Sequence, residues 1–351
     1  MKVAVITYSN AQNYGAMLQA YALSNCIADM GIECRVINYR KFDSRWFKPR
    51  KTLWDIIFTA LLIKQGKKRV CLFHEFRKQF LPLTTRYDSV EELKQIDTEY
   101  DLFISGSDQV WNCNGYVNEA FFLRFTAEKA KRCAYAPSFG SRTIPADCMD
   151  KVAQYINDFQ NISVREKSGA DLIKQLTGRE AEVVLDPVFL ISSNKWCALA
   201  HSIEHSKFVF VYTTEVSDDL RKTVCNLYNN KGITVISTQY IAGCNCIVRK
   251  DIGPLEFLGY IRDAEYVVST SFHATAFSII FQKKFCVVPH KVTGARVTDL
   301  LCLIGLQQEI VEDVNSFQFD SFVDWDAVER QLNELKSKSQ SYLQKSIAGE
   351  Q

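Results

Sequence analysis

The sequence predicts an α/β protein of two domains, each a parallel sheet wrapped by helices, facing one another across a cleft. Three observations predict it. Short apolar runs ending in small or polar loops alternate with stretches of helical periodicity. That alternation restarts after Pro187 and the loop Ser192-Ser193-Asn194. The length, 351 residues, suits two domains better than one.

In chain order, residues 2–7 read as a buried strand, 17–30 as a helix closed by Gly31, and 33–39 as a second strand, together a β-α-β unit. Strands are expected again at 100–105, 133–136, 161–164 and 183–185. The second half starts with a strand at 208–212, a helix at 217–229 and a strand at 234–237. It continues with a helix at 255–264, a strand at 266–270, a helix at 272–281 and a strand at 285–289. The expected division is an N-terminal α/β domain over 1–190, a C-terminal α/β domain over 200–325, and a helix with a frayed tail over 326–351.

Residues 40–78 interrupt this grammar as an insertion. They hold 12 basic residues against three acidic ones, around an apolar helical stretch at 54–63. An apolar helix with basic flanks suits the face of an anionic membrane, with Trp54, Lys64, Lys67, Lys68 and Arg69 as the contacts. A core-packed helix with solvated ends satisfies the same pattern.

Composition narrows the function classes. At 47% hydrophobic and 23% charged residues the chain is neither disordered nor fibrous, and a net charge of +2 supplies no global field to gather nucleic acid. The apolar stretch at 53–63 is about half the ~20 residues of a spanning helix. The opening MKVAVITYSN enters a strand at once with no basic leader, so a cytoplasmic protein is expected. Twelve cysteines are scattered, with Cys244 and Cys246 the one tight pair, so no metal site is expected. Cys26, Cys286 and Cys302 lie in apolar periodic stretches and read as small hydrophobes of a reducing compartment.

Candidate chemistry gathers in the loops that follow strands, where open α/β sheets bind ligands. The loop at 9–16 is polar and lacks dinucleotide glycine spacing; it offers Asn13 and Tyr14 to a hydroxyl-rich ligand. The run at 104–112 crowds Asp108, Gln109, Trp111 and Asn112 together, as sugar sites do with an aromatic face and amide or carboxylate partners. A helix capped by Ser107 or Asp108 is the structural alternative. A second small-residue turn at 135–140 places Ser138 on the same rim.

Arg165 follows a short strand and precedes a helix expected to be capped by Ser168; its planar fork suits a carboxylate or phosphate, or a structural pairing with Glu166. At 267–280 a strand stops at Ser269-Thr270-Ser271 and a helix starts near His273. Unpaired N–H groups at a helix start favour an anion, and an imidazole there can also give a proton. Lys291 and Arg296 follow the next strand and would add positive charge.

Taken in order, Asn13-Tyr14-Gly15-Ala16-Met17-Leu18-Gln19, Gly106-Ser107-Asp108-Gln109-Val110-Trp111, Tyr135-Ala136-Pro137-Ser138-Phe139-Gly140, Ser163-Val164-Arg165-Glu166, Leu185-Asp186-Pro187 and Ser271-Phe272-His273-Ala274-Thr275 resemble the polysaccharide pyruvyltransferase family. The chain departs from the family at Ala274, usually Gly, and at Thr270, often Asp.

The resemblance implies two Rossmann-like domains in a GT-B-like arrangement, phosphoenolpyruvate as donor and co-substrate, a sugar diol as acceptor, a cyclic pyruvate ketal as product and no cofactor. Carried over, Arg165 and His273 look like the donor-binding and catalytic pair and Arg296 like the later arginine, with Ser271 and Lys291 added on the donor side. Asp108 is expected to accept a hydroxyl proton or to bind the sugar. Asn13, Tyr14, Asp108, Gln109, Trp111 and Ser138 are assigned to the acceptor from their loop positions.

If the basic segment lies on lipid, the acceptor is carried by a polyprenyl diphosphate during assembly of a surface polysaccharide, and the protein is peripheral at the inner membrane face. A soluble glycan or nucleotide sugar is the other source. Two rival readings share the architecture: a GT-B glycosyltransferase using a nucleotide sugar, and a non-catalytic glycan-binding protein.

Overall fold

The computed structural model describes residues 1–40, 53–290 and 294–350, with side chains throughout except at 53–65. The first half builds β1 (Lys2–Ile6), α1 (Tyr14–Asp29), β2 (Glu33–Tyr39), α2 (Leu53–Phe80), β3 (Leu83–Tyr87), α3 (Val90–Leu93), β4 (Leu102–Ser105), β5 (Arg132–Ala134), α4 (Ala146–Asn157), β6 (Asn161–Val164), α5 (Lys167–Thr177) and β7 (Glu182–Val183). After α6 (Ser193–Leu199) come β8 (Phe208–Tyr212), α7 (Asp218–Lys231), β9 (Thr234–Ser237), β10 (Cys246–Val248), α8 (Pro254–Asp263), β11 (Tyr266–Ser269), α9 (Phe272–Ile280), β12 (Lys284–Val287), α10 (Ala295–Leu303) and α11 (Trp325–Ala348).

The first seven strands form one sheet in the order β3-β2-β1-β4-β5-β6-β7, and the last five a second in the order β10-β9-β8-β11-β12. Every pairing is parallel. Helices on both faces explain why the central strands are apolar at successive positions: Val3 and Val5 of β1 face one core while Ala4 and Ile6 face another. Phe208, Phe210 and Tyr212 of β8 belong to the same core as Val3 and Val5, so a single apolar layer joins the two sheets. Tyr14 stacks on Phe257 with ring centroids 4.6 Å apart, and Trp196 meets Phe277 edge to face at 5.0 Å.

Several expectations are corrected in detail. The first helix begins at Tyr14 because Asn13 caps it, its Oδ1 accepting from the Ala16 N–H at 3.1 Å. The helix after Arg165 is capped at Glu166 and starts at Lys167, so Ser168 is inside it. Residues 106–112 form no helix; Asp108 adopts φ 76° and bridges to Pro137. The edge strands β3, with no apolar run, and β10, only three residues long, escaped the periodicity reading.

The C-terminal segment is ordered helix through Ala348. It returns to the first domain, where the Tyr342 hydroxyl donates to the Ala134 carbonyl at 2.9 Å and the Leu185 N–H donates to Ser339 Oγ at 2.9 Å. Cys26 and Cys286 are buried as expected, whereas Cys302 is exposed.

From within the basic segment a helix of 28 residues runs from Leu53 to Phe80, and its later part packs inward through buried Phe73 and Phe76. Lys68 pairs with Asp251 of the second domain at 3.0 Å. Arg69 donates to the Gln12 carbonyl at 2.8 Å and lies over the Tyr14 ring. These two side chains are thus spent on contacts within the protein, while Lys67 is exposed. Trp54 and Lys64 fall outside the described side chains. Among the described residues no helix is long and apolar enough to cross a membrane.

Candidate active site at the domain junction

In the first sheet the connections diverge on either side of β1 and β4, the strand pair at whose carboxyl ends such sheets bind ligands. The β11-to-α9 turn of the second domain brings His273 to the same place. Gly15 makes the approach possible: a Cβ there would lie 2.0 Å from His273 Nδ1.

The focus of the junction is Asp186. Its Oδ2 accepts from Arg165 Nη1 at 2.7 Å and from Ser107 Oγ at 2.8 Å, and lies 3.4 Å from His273 Nε2. Its Oδ1 accepts from the Val188 N–H at 3.1 Å, as Pro187 turns the chain behind it. Burial alone would raise this carboxyl, yet His273 and Arg165 hold it well below the usual carboxylate range.

Arg165 is buried flat against the Phe272 ring at 4.1 Å. Burial works against its charge, but Asp186, Glu166 and Asp108 outweigh it and raise its pKa. Glu166 Oε2 lies 3.6 Å from Arg165 Nε, and Asp108 Oδ1 lies 3.8 Å from Nη2. Glu166 in turn accepts from Ser138 Oγ at 2.5 Å. Burial pushes the Glu166 carboxyl up against the pull of Arg165.

Arg296, in the first turn of α10, is also buried. Burial lowers its pKa to about 10, with Arg165 adding to the effect. Gln109, with its amide oxygen turned toward Arg296, accepts from Nη2 at 2.7 Å and Nη1 at 2.9 Å. Arg165 Nε and Nη2 and Arg296 Nε are buried without a hydrogen-bond partner among the described residues.

The structure therefore brings Arg165, His273, Asp108, Gln109 and Arg296 together, with Ser271 at the cap of α9 making no side-chain cap bond. The positive charge is not bare, as the sequence suggested; Asp186, Glu166 and Asp108 interleave it. Asp186, Glu166 and Gly15 were missed as site residues. Asp186 had a signal, since an Asp-Pro pair after a strand fixes a carboxylate at a turn.

Beside this cluster a cavity of about 1660 Å³ opens over the carboxyl ends of β1, β2 and β4. Asn13, Asp108 and Gln109 line it, as do Tyr8, Asn10, Arg40, His74 and Arg77. Three residues assigned to the acceptor do not reach it. Trp111 is fully buried, stacked on Phe122 at 5.3 Å with its indole N–H donating to Ser105 Oγ at 3.1 Å. Tyr14 is buried between the domains, its hydroxyl donating to the Ile252 carbonyl at 3.3 Å. Ser138 is buried and spends its hydroxyl on Glu166. An indole at the end of an apolar strand fills a core as readily as it faces a sugar, and here the core takes it. Lys291 lies outside the described residues.

The sequence pattern of the family described as polysaccharide pyruvyl transferase matches residues 13–291. Among curated proteins, none matches the chain. A Listeria monocytogenes protein assigned as a UDP-N-acetylglucosamine 2-epimerase shares the fold with TM-score 0.52 at 10% identity, over 96% of each chain. The Staphylococcus aureus MnaA–UDP co-structure gives TM-score 0.51 at 12% identity, again over 96% of each chain. A UDP-GlcNAc 2-epimerase from Methanocaldococcus jannaschii gives 0.51 at 10% identity, over 96% of this chain and 100% of the other. These likenesses establish the GT-B-like fold.

Proposed function

The chain belongs to the polysaccharide pyruvyl transferase family, and from that premise we propose that it transfers pyruvate from phosphoenolpyruvate to two hydroxyls of a sugar, forming a cyclic ketal. The observation that carries the reading is the cluster itself: two buried arginines with N–H groups that hold no hydrogen bond among the described residues, beside a histidine whose Nε2 lies 3.4 Å from a buried carboxylate.

Phosphoenolpyruvate presents a carboxylate and a phosphate. Arg165 offers Nε and Nη2 and Arg296 offers Nε to these groups, none of the three hydrogen-bonded among the described residues, assisted by Ser271 at the start of α9 and by the charge of Lys291. Asp186, itself held by the Ser107 hydroxyl, fixes Arg165 and faces His273, so little reorganisation is needed when the donor binds. His273 in its protonated form gives its proton to the vinyl carbon, and the adjacent carbon gains oxocarbenium character.

One sugar hydroxyl attacks that carbon and passes its proton to Asp108. Phosphate then leaves, and the second hydroxyl closes the ring. Asp108 hands the first hydroxyl's proton on to the departing phosphate, and the second hydroxyl's proton restores His273. Asn13, Asp108 and Gln109 place the sugar in the adjoining cavity, and alignment of two hydroxyls on one carbon is chiefly a matter of orientation.

The acceptor belongs to a surface-polysaccharide precursor carried by a polyprenyl diphosphate, with the basic residues of α2, among them exposed Lys67, meeting the anionic inner face of the membrane. Binding of the parent protein to anionic vesicles should weaken with salt and with neutralisation of Lys64 and Lys67. The reaction is tested by phosphate release from phosphoenolpyruvate with galactose-, mannose- and N-acetylhexosamine-containing acceptors, free and lipid-linked. An acceptor that gains about 70 Da, pyruvate less water, is the expected product. Phosphate release without a ketal product would contradict the reading.

A further inference from the structure

The cavity has two unlike ends. At one, Asp108 follows β4 and approaches Arg165. At the other, Arg40 follows β2 and Arg77 comes from α2. Since β1 lies between β2 and β4, the two ends are two strand spacings apart, about 10 Å.

Among the described residues the second end is basic and its cations meet no carboxylate. Arg40 Nε donates to Asn10 Oδ1 at 3.0 Å, and Arg77 Nη2 donates to Asn38 Oδ1 at 3.1 Å. Asn10 and Asn38 are themselves joined, Nδ2 to Oδ1, at 3.3 Å. An amide oxygen positions a guanidinium without neutralising it, whereas a carboxylate does both. Among the described lining residues the one carboxylate is Asp108, at the far end. Arg77 is buried with its Nε unpartnered among the described residues. Burial, with Arg40 adding to it, lowers its pKa to about 10, as expected of two cations with no anion between them among the described residues. His74, one turn before Arg77 on α2, lines the same wall.

We infer that Arg40 and Arg77, with His74 beside them, form a subsite for the phosphate or diphosphate attached to the acceptor sugar. The separation from Asp108 lets the sugar ring lie between the linking phosphate and the reacting carbon. The inference rests on the acceptor occupying this cavity. The same chemistry is offered by a polyprenyl diphosphate and by a nucleoside diphosphate.

The test is calorimetric titration of the full chain, its Arg40→Gln variant and its Arg77→Gln variant with inorganic pyrophosphate, and in parallel with phosphoenolpyruvate. Each variant should bind pyrophosphate about tenfold more weakly, the loss of one charge-assisted contact, while its response to phosphoenolpyruvate stays that of the parent. Arg40 is exposed, so Arg40→Gln keeps the test sharp if Arg77→Gln fails to fold.

Farnesyl diphosphate and UDP then distinguish the sources. The one that binds tighter names the carrier, and Arg40→Gln must weaken it too. Pyrophosphate binding equal in parent and variants, or absent from the parent, overturns the subsite. A parent that ignores phosphoenolpyruvate but binds pyrophosphate through Arg40 would instead remove the donor assignment and leave the subsite standing.

Discussion

The junction cluster and the cavity beside it use the same side-chain types in opposite ways. At the junction, Arg165 is closed in by Asp186, Glu166 and Asp108 and packed on Phe272. In the cavity, Arg40 and Arg77 are held by asparagine amides and keep their charge. A buried, mutually paired cluster is rigid, which suits groups that must meet a reacting carbon in one geometry. Amide-held cations lining a cavity, one exposed and one buried, suit recognition of an anion arriving from solvent. On the proposed reading, chemistry and recognition are separated within one site, about two strand spacings apart.

The largest effect expected from breaking the rigid side comes from Asp186→Ala. It removes the acceptor shared by Arg165, Ser107 and His273 and leaves buried charge short of its partner, which should cost about 3–5 kcal/mol in denaturant unfolding and abolish turnover. The pH dependence has a definite sign. Because the folded carboxyl is held below its ordinary value, its contribution is complete above the ordinary carboxylate range and is lost as pH falls toward the folded value. The stability gap between parent and variant should therefore narrow in acid.

His273→Gln should lower turnover by about 10²–10⁴-fold, the usual worth of a positioned general acid, while leaving the donor's thermal stabilisation in place. Unchanged turnover would take the histidine out of the mechanism. Gly15→Ala should follow, with turnover down about 10²-fold from displacement of the imidazole. Its added Cβ, 2.0 Å from Nδ1, cannot fit unless the ring moves. Trp111→Phe is the mildest: loss of the indole hydrogen bonds should cost about 1 kcal/mol of stability with the acceptor KM unchanged. A raised KM there would return the indole to the sugar site.

The two regions were not equally legible in the sequence. The central strands of both sheets declare themselves because burial on two faces makes them apolar throughout, and the loops after β1, β4, β6 and β11 inherit their place from topology. Arg165, Asp108, Gln109 and His273 were singled out that way and Arg296 by its place after β12, and the fold brings them together. Short-range signals could not reveal which of these residues pair, since Ser107 and Asp186 are 79 positions apart and meet only through the fold. They also could not tell an aromatic side chain facing a ligand from one filling a core, hence Trp111 and Tyr14. The basic end of the cavity was visible only as a charge-rich insertion. Its asparagine partners come from β2 and the loop after β1, and no periodicity marks them.

The central claim is that the junction cluster binds phosphoenolpyruvate. The most direct measurement is the shift in the thermal unfolding midpoint on adding phosphoenolpyruvate, compared with a UDP-linked sugar, for the parent and for Arg165→Ala. The account predicts a concentration-dependent rise with phosphoenolpyruvate in the parent that Arg165→Ala largely removes. A rise with the nucleotide sugar and none with phosphoenolpyruvate would contradict it and assign the cluster to glycosyl transfer.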